Sequence, residues 1–415
     1  MDKGRIYAIR DRAYRNLTEC ILPFWTSDFI LDEENGGFVG LVTLNMEKDP
    51  KADRALVLTG RMVFALSKSY ILTKNPLCLD RAKRAFYYLV DHFYDKEYGL
   101  AYSTVNYKGE PVSTDKPLYG EAFFVMACGS YYEASGDPLA KELGLAAFKL
   151  IEEKYKVGPA AYSNGFVRDF SAPADMFGGR RPRGGGFSMP EGTVMFQHHL
   201  CQSYEHLYRA TRDPEVGKAL LQFAEYIPNM LYDAKYHCFK SILDKDGNRI
   251  GLRQSFGHDA EISYLAMDIA ELVGDEALIA KTKAVVSDVC LTLLERDFDQ
   301  YGALINSYDF ETGQHDEIRT WWVEAEAGTS LMCGYQLTGD DRFLTAEEKL
   351  QTYIENYFVN KANGDWYNNV IVDDAGGRVV DGMHGFDKLN PGKCPFHNTH
   401  MCLELVRRCN LLVGE

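Results

Sequence analysis

The densest chemistry in the sequence lies near its end, in KCPFHNTHMC (residues 393–402), where Cys394, His397, His400 and Cys402 fall close together. Thiols and imidazoles at this density suit either metal ligation or proton transfer. If a helix starts near Phe396, His397 and His400 share one face, and Cys402 lies roughly 140° away at about 3.6 residues per turn. Cys394 then precedes the helix. Four such groups do not converge on one ion, and the spacing matches no familiar zinc pattern, so no metal is expected here. A second cluster is FGHDAE, where His258 and Glu261 are three apart on one helical face. A carboxylate beside an imidazole raises its pKa and fixes its tautomer, which suits general acid–base work. In QHHLCQSY, His199 offers a further imidazole, with His198 expected to point elsewhere. In WWVEAEAG, Trp321 and Trp322 offer ring faces for a sugar, one of them being expected in the core, and Glu326 lies one turn beyond Trp322. Arg61, in LTGRMVFALS, is a charge at the start of an apolar helix and needs a carboxylate or a developing oxyanion as partner. GGRRPRGGG (178–186) lacks the Gly-Lys-Ser/Thr ending of a phosphate loop and reads as a flap or surface loop whose arginines could meet an anionic group.

Two recurring signals say how these residues are positioned. Short turns, LTKNP, ASGDP, ATRDP, LVGDE and LTGDD, each stop one helical run and start the next. Between them come polar turns flanked by aromatics: LDEENGGFVG, YDKEYGLAYS, YSNGFVRDF, YDAKYHCFKSI, FDQYGALINSY and NGDWYNNVIV. These read as six short β-hairpins inside long loops. Repeats that cannot bury their own apolar face stack on neighbours. Six such units predict an all-α, closed (α/α)6 barrel spanning residues 1–415 as one domain. Its first outer helix is expected near 10–24 and its last inner helix near 397–412. Arg61, Tyr119, His199, His258, Trp322 and His397 all fall at or near the start of a run leading to a tight turn or to the end of the chain, so one mouth of the barrel should collect them. An open solenoid that binds protein is the simpler alternative.

The net charge of −15 argues against a nucleic-acid partner. No apolar run is long enough to span a membrane, and the charged first residues lack a signal peptide's apolar core. Ten cysteines then read as reduced thiols in a cytoplasmic protein, monomeric or homodimeric.

KCPFHN, GHDAE and WWVEAEA, with Arg61 and the hairpin–helix repeat, resemble the N-acylglucosamine 2-epimerase superfamily, and its cellobiose 2-epimerase branch most of all. The resemblance implies an (α/α)6 barrel, a small-molecule sugar substrate and no cofactor. An aldose ring opens, the C2 proton leaves, and a cis-enediolate is reprotonated on its other face; reprotonation at C1 would give a ketose instead. It further implies that His258 and His397 are the acid–base pair, that Glu261 tunes His258, that His199 helps open the ring and that Arg61 stabilises the enediolate. Tyr119, Trp322 and Glu326 would hold the sugar. Four positions depart from the branch: Gly392 replaces a Trp, His400 an Arg, Met195 an Asn and Gln202 a Glu. The departures at Met195 and His400 fall at substrate-contacting positions and weigh against the usual disaccharide, leaving a monosaccharide such as mannose or glucose open. Two other classes stand beside this one. A glycosidase or lyase would need two carboxylates, and Glu324 and Glu326 point different ways on their helix. A catalytically dead sugar-binding protein is the other.

Overall fold

In a computed structural model, residues 2–174, 193–244, 246–379 and 387–415 are described. The glycine- and arginine-rich segment 178–186 lies outside them. Helices α1 (Lys3–Arg15) and α2 (Leu22–Trp25) are joined by a π-helical turn, and α3 (Leu56–Thr73) follows after a long loop. Next come α4 (Pro76–Tyr88), α5 (Leu118–Ser135), α6 (Pro138–Lys154), α7 (His198–Thr211) and α8 (Pro214–Tyr226). The chain finishes with α9 (Phe256–Val273), α10 (Glu276–Thr292), α11 (Trp321–Thr338), α12 (Asp341–Tyr353) and α13 (Phe396–Val413). Helices α3, α5, α7, α9, α11 and α13 touch in that order, and α13 returns to α3, closing an inner ring. Each packs against an outer helix; α1 serves α13. The fold is the expected (α/α)6 barrel. Inner helices such as α5 are buried nearly all round, whereas outer helices such as α8 bury one stripe. No described helix is long and apolar enough to cross a membrane. All ten cysteines are free thiols, nine of them buried.

The tight turns work as the sequence suggests. Each inner helix ends on a left-handed residue: Lys74, Gly136, Arg212, Gly274 or Gly339. The side chain of Asn75, Asp137, Asp213, Asp275 or Asp340 then caps the outer helix by accepting from its first free N–H groups. Two details differ from expectation. The outer helix α1 starts at Lys3, because Asp2 caps it. The third hairpin is Lys156–Gly158 against Ala161–Tyr162, just before YSNGFVRDF, whose Gly165 and Phe166 pair elsewhere.

That other pairing belongs to a second set of strands that join neighbouring repeats. The residues leading into each inner helix pair with a strand of another loop: Arg54–Ala55 with Thr104–Val105, and Lys116–Pro117 with Gly165–Phe166. Thr193–Met195 pairs with Ile242–Asp244, Arg253–Ser255 with Ser307–Asp309, and Ile318–Thr320 with Asn369–Ile371. A bridge from Leu389 to Val42 completes the circuit. These links pin the N-terminal ends of the inner helices at one mouth. Buried carboxylates add a clasp. Glu121 accepts the backbone N–H of Ala101, Asp259 that of Phe239, and Glu324 that of Leu304. Each is the fourth residue of its helix and reaches back to the preceding hairpin.

Candidate active site

The mouth opens into a cavity of about 490 Å³ lined by Arg61, Tyr119, His199, His258, Glu261, Trp321, Trp322 and His397, with Thr320, Asn368, Asn369, Asn390, Gly392 and Lys393 at its loop side. Helix geometry sorts the lining into two tiers. Tyr119, His199, Trp322 and His397 are each the second residue of their helices and form the rim, with His258 third in α9. Arg61 and Glu261 are each sixth, one turn deeper, and Glu326, also sixth, stands at that depth behind the wall.

The last helix is aimed by the segment that precedes it. Lys393 is buried and its Nζ lies 2.6 Å from Asp365 Oδ2, while Asn398 donates to Asp365 Oδ1 at 2.7 Å. The two ends of KCPFHN thus grip one carboxylate, and His397 is presented between them. Its Nδ1 lies 2.6 Å from Glu326 Oε1, and Tyr264 donates to Glu326 Oε2 at 2.5 Å. Nδ1 being engaged, Nε2 is the nitrogen left for chemistry. Burial, and then the charge of Glu261, push the Glu326 carboxyl well above its usual range. Burial, and then Arg61, hold the His397 imidazole well below its own. Both directions have one cause: the interior disfavours charge on either partner.

Across the cavity, Glu261 is buried between two imidazoles, 3.3 Å from His198 Nε2 and 3.5 Å from His199 Nδ1. Burial opposes its ionisation, but His199 and His198 outweigh that and keep it well below the usual range. The His198 ring centroid lies 4.1 Å from that of His199 and 4.9 Å from that of His258. Burial and His198 push His258 down to about 4, and burial with His198 holds His199 well below the ordinary value. The rings of His258 and His397 both pack against Trp322, with centroids 5.0 and 5.7 Å from it. Gly257 makes room for this indole: a Cβ there would meet the ring at 2.7 Å. Arg61 donates to Tyr119 Oη at 2.8 Å and lies over the Phe123 ring, its other branch reaching Cys394 Sγ at 3.8 Å.

The structure brings His258, His397, His199, Glu261, Arg61, Tyr119, Trp321 and Trp322 together. It corrects three expectations, those on Glu326, His400 and His198. Glu326 lies behind His397 and not on the cavity wall. His400 is also beneath the wall, within 3.3 Å of the Tyr264 hydroxyl and stacked on Phe396. Met195 is a strand residue whose backbone pairs with Ile242. His198 turns toward Glu261, so Glu261 sits closer to the 198–199 pair than a simple partnership with His258 implies. Trp321 is the more buried tryptophan, edge-on to His397 and under Lys393. Sequence reasoning missed Tyr264, three residues after Glu261 and thus on its face, and the Asn368–Asn369 pair, which sits in the sixth hairpin segment.

The family model for N-acylglucosamine 2-epimerase (GlcNAc 2-epimerase) matches residues 36–386. The chain is similar to the cellobiose 2-epimerase of Ruminococcus albus, with 31% identity over 95% of this chain and 97% of that one. It is 30% identical to the cellobiose 2-epimerase of Bacteroides fragilis, over 96% and 98%. The crystal structure of a sugar epimerase from a ruminal bacterium superposes with a TM-score of 0.84 at 29% identity, covering 96% of this chain and 98% of that one. The chain belongs to the N-acylglucosamine 2-epimerase superfamily, in its cellobiose 2-epimerase branch, and is a carbohydrate epimerase, an isomerase.

Proposed function

We propose that this protein inverts C2 of a reducing aldose through a cis-enediolate, with His258 and His397 working on opposite faces of C2. The observation that carries the reading is that both imidazoles line one cavity and pack against the same Trp322 indole, with Arg61 and Glu261 one helical turn deeper. A two-base epimerisation needs one acceptor and one donor at the same time. His258, pushed down to about 4, is neutral near pH 7 and accepts the C2 proton. The His397–Glu326 pair holds one proton between them; a neutral Glu326 donating to Nδ1 leaves Nε2–H turned to the sugar as donor. In the reverse direction the roles exchange. Ionised Glu261 stabilises the imidazolium that forms beside it, and His199 moves the proton that opens the ring. Arg61 and the converging helix N-termini stabilise the enediolate oxygens, and Trp322 and Tyr119 hold the sugar. None of these steps calls for a cofactor.

The substrate class is a reducing aldose, either a mannose- or glucose-type monosaccharide or a β-1,4-linked disaccharide such as cellobiose. The cavity is larger than one hexose requires, and Gly392 is the one loop-side lining residue that contributes no side chain. Incubation with mannose, glucose and cellobiose in deuterated water, followed by NMR at C2, tests the reading. Deuterium at C2 with inversion is the expected result, and no exchange with any reducing aldose would sink it. Accumulation of ketose would shift the assignment to aldose–ketose isomerisation through the same intermediate.

A further inference from the structure

His198 has no part in the chemistry above, yet its imidazole is turned into the cavity's acidic centre. Its Nε2 and both oxygens of Glu261 are buried and make no hydrogen bond, although Nε2 approaches Oε2 to 3.3 Å. Glu261 is 1% exposed. Glu261 thus has two imidazoles beside it but no well-aligned donor, whereas most buried carboxylates have one. One ligand atom each from His198, His258 and Glu261 lie within 4.8 Å of one another. Two imidazoles and one carboxylate are a recurrent donor set for divalent transition metals. In a tetrahedral zinc site with bonds of about 2.0–2.1 Å, neighbouring donor atoms are about 3.3 Å apart, which is the separation already present between His198 and Glu261.

A deeper group, Glu261, Glu326 and His397, is equally compact. There, however, Glu326 is already committed to His397 and Tyr264, and His397 Nδ1 to Glu326. The shallower set is the one whose donor atoms are open, and His258 gives it access to the cavity. We propose that His198, His258 and Glu261 form a reversible site for one zinc-class divalent ion, and that occupancy silences the enzyme by taking the His258 lone pair. The binding half stands on the geometry alone; the silencing half rests on the role proposed above for His258. The ion is therefore an inhibitor and not a cofactor. Hard cations such as magnesium, which prefer all-oxygen shells, should be ignored by this nitrogen-rich set.

The test uses the full chain after treatment with a chelator. Titration with Co²⁺ should give visible ligand-field bands that saturate at one equivalent, and Zn²⁺ should displace them. His198→Leu and His258→Gln should each weaken binding about tenfold or more, with circular dichroism confirming that each variant is folded. In wild type, C2 exchange should fall in proportion to Zn²⁺ occupancy and return on adding chelator. The binding half is overturned by absence of saturable binding, by affinity unchanged in both variants, or by a near-ultraviolet thiolate band that places the metal on cysteines. The silencing half is overturned if the zinc-loaded protein exchanges C2 as fast as the metal-free one, or faster. Should the metal-free protein exchange no sugar at all, the spectroscopic arm still decides the site, and the failure belongs to the function.

Discussion

Asp259 and Glu261 are two residues apart on α9, and Glu324 and Glu326 are two apart on α11, yet each pair divides its labour in the same way. The first carboxylate turns back to the preceding hairpin and accepts a backbone N–H, from Phe239 or from Leu304. The second faces the barrel axis and meets imidazoles: His198 and His199 for Glu261, His397 for Glu326. A step of two residues turns a helix by about 200°, which takes the side chain from one wall to the other. Burial is equal on both sides, and burial alone does not distinguish a structural acid from a chemical one. Glu121 shows the clasp by itself, since two residues later the same helix carries Phe123.

Substitutions can break this comparison at several strengths. The largest effect is expected at the imidazoles that the inward acids serve. His258→Gln or His397→Gln should cut C2 exchange by about 10³-fold with little change in melting temperature, measured by NMR and calorimetry. Next comes the inward acid: Glu326→Gln should lower kcat about 10²-fold, because an amide cannot trade a proton with His397, while KM moves little. Equal losses in the matching Glu324→Gln variant would erase the distinction. The outward acid should show itself in stability. Glu324→Ala leaves the Leu304 N–H without its partner and should cost about 1–3 kcal/mol in urea unfolding, with kcat within about fivefold of wild type.

The last prediction concerns pH, where the effect is spread over several units. Burial pushes Glu121 and Glu324 from their ordinary 4.5 up to about 8. Between those values the folded protein holds protons that the unfolded chain releases. Stability contributed by these groups therefore falls as pH rises through this window, by about 1.4 kcal/mol per pH unit and group at most. Glu324→Gln should remove one such contribution and flatten the fall in stability between pH 5 and 8, read from denaturant midpoints. An unchanged slope would mean that Glu324 is ionised in the folded state.

The sequence made some of this legible and hid the rest for physical reasons. Tight turns are local devices: a left-handed stop, an Asn or Asp cap and often a proline leave a signature within five residues, so the repeat and the shared mouth could be counted. The strands linking neighbouring repeats run only two or three residues and join segments dozens apart, so no periodicity betrays them. His397 and His258 were found because helix starts are recognisable. The resemblance points Glu326 and His400 at the sugar, but inner helices are buried on every side, and a sequence does not say which side is cavity and which is neighbour. His198 was set aside for the same reason: one residue is about 100° on a helix, and at its first turn both neighbours of the axis can be reached.

Gly257 carries no chemistry of its own, yet its missing side chain decides where the Trp322 indole comes to rest. The ring edge occupies the space that a methyl group would claim. Position 257 therefore acts as a stop behind the cavity wall: any larger residue there would have to displace the indole, or Val323 beside it. Because the His258 and His397 rings lie 5.0 and 5.7 Å from that indole, such a displacement would be passed on to both imidazoles, and a single absent carbon keeps three aromatic groups in register.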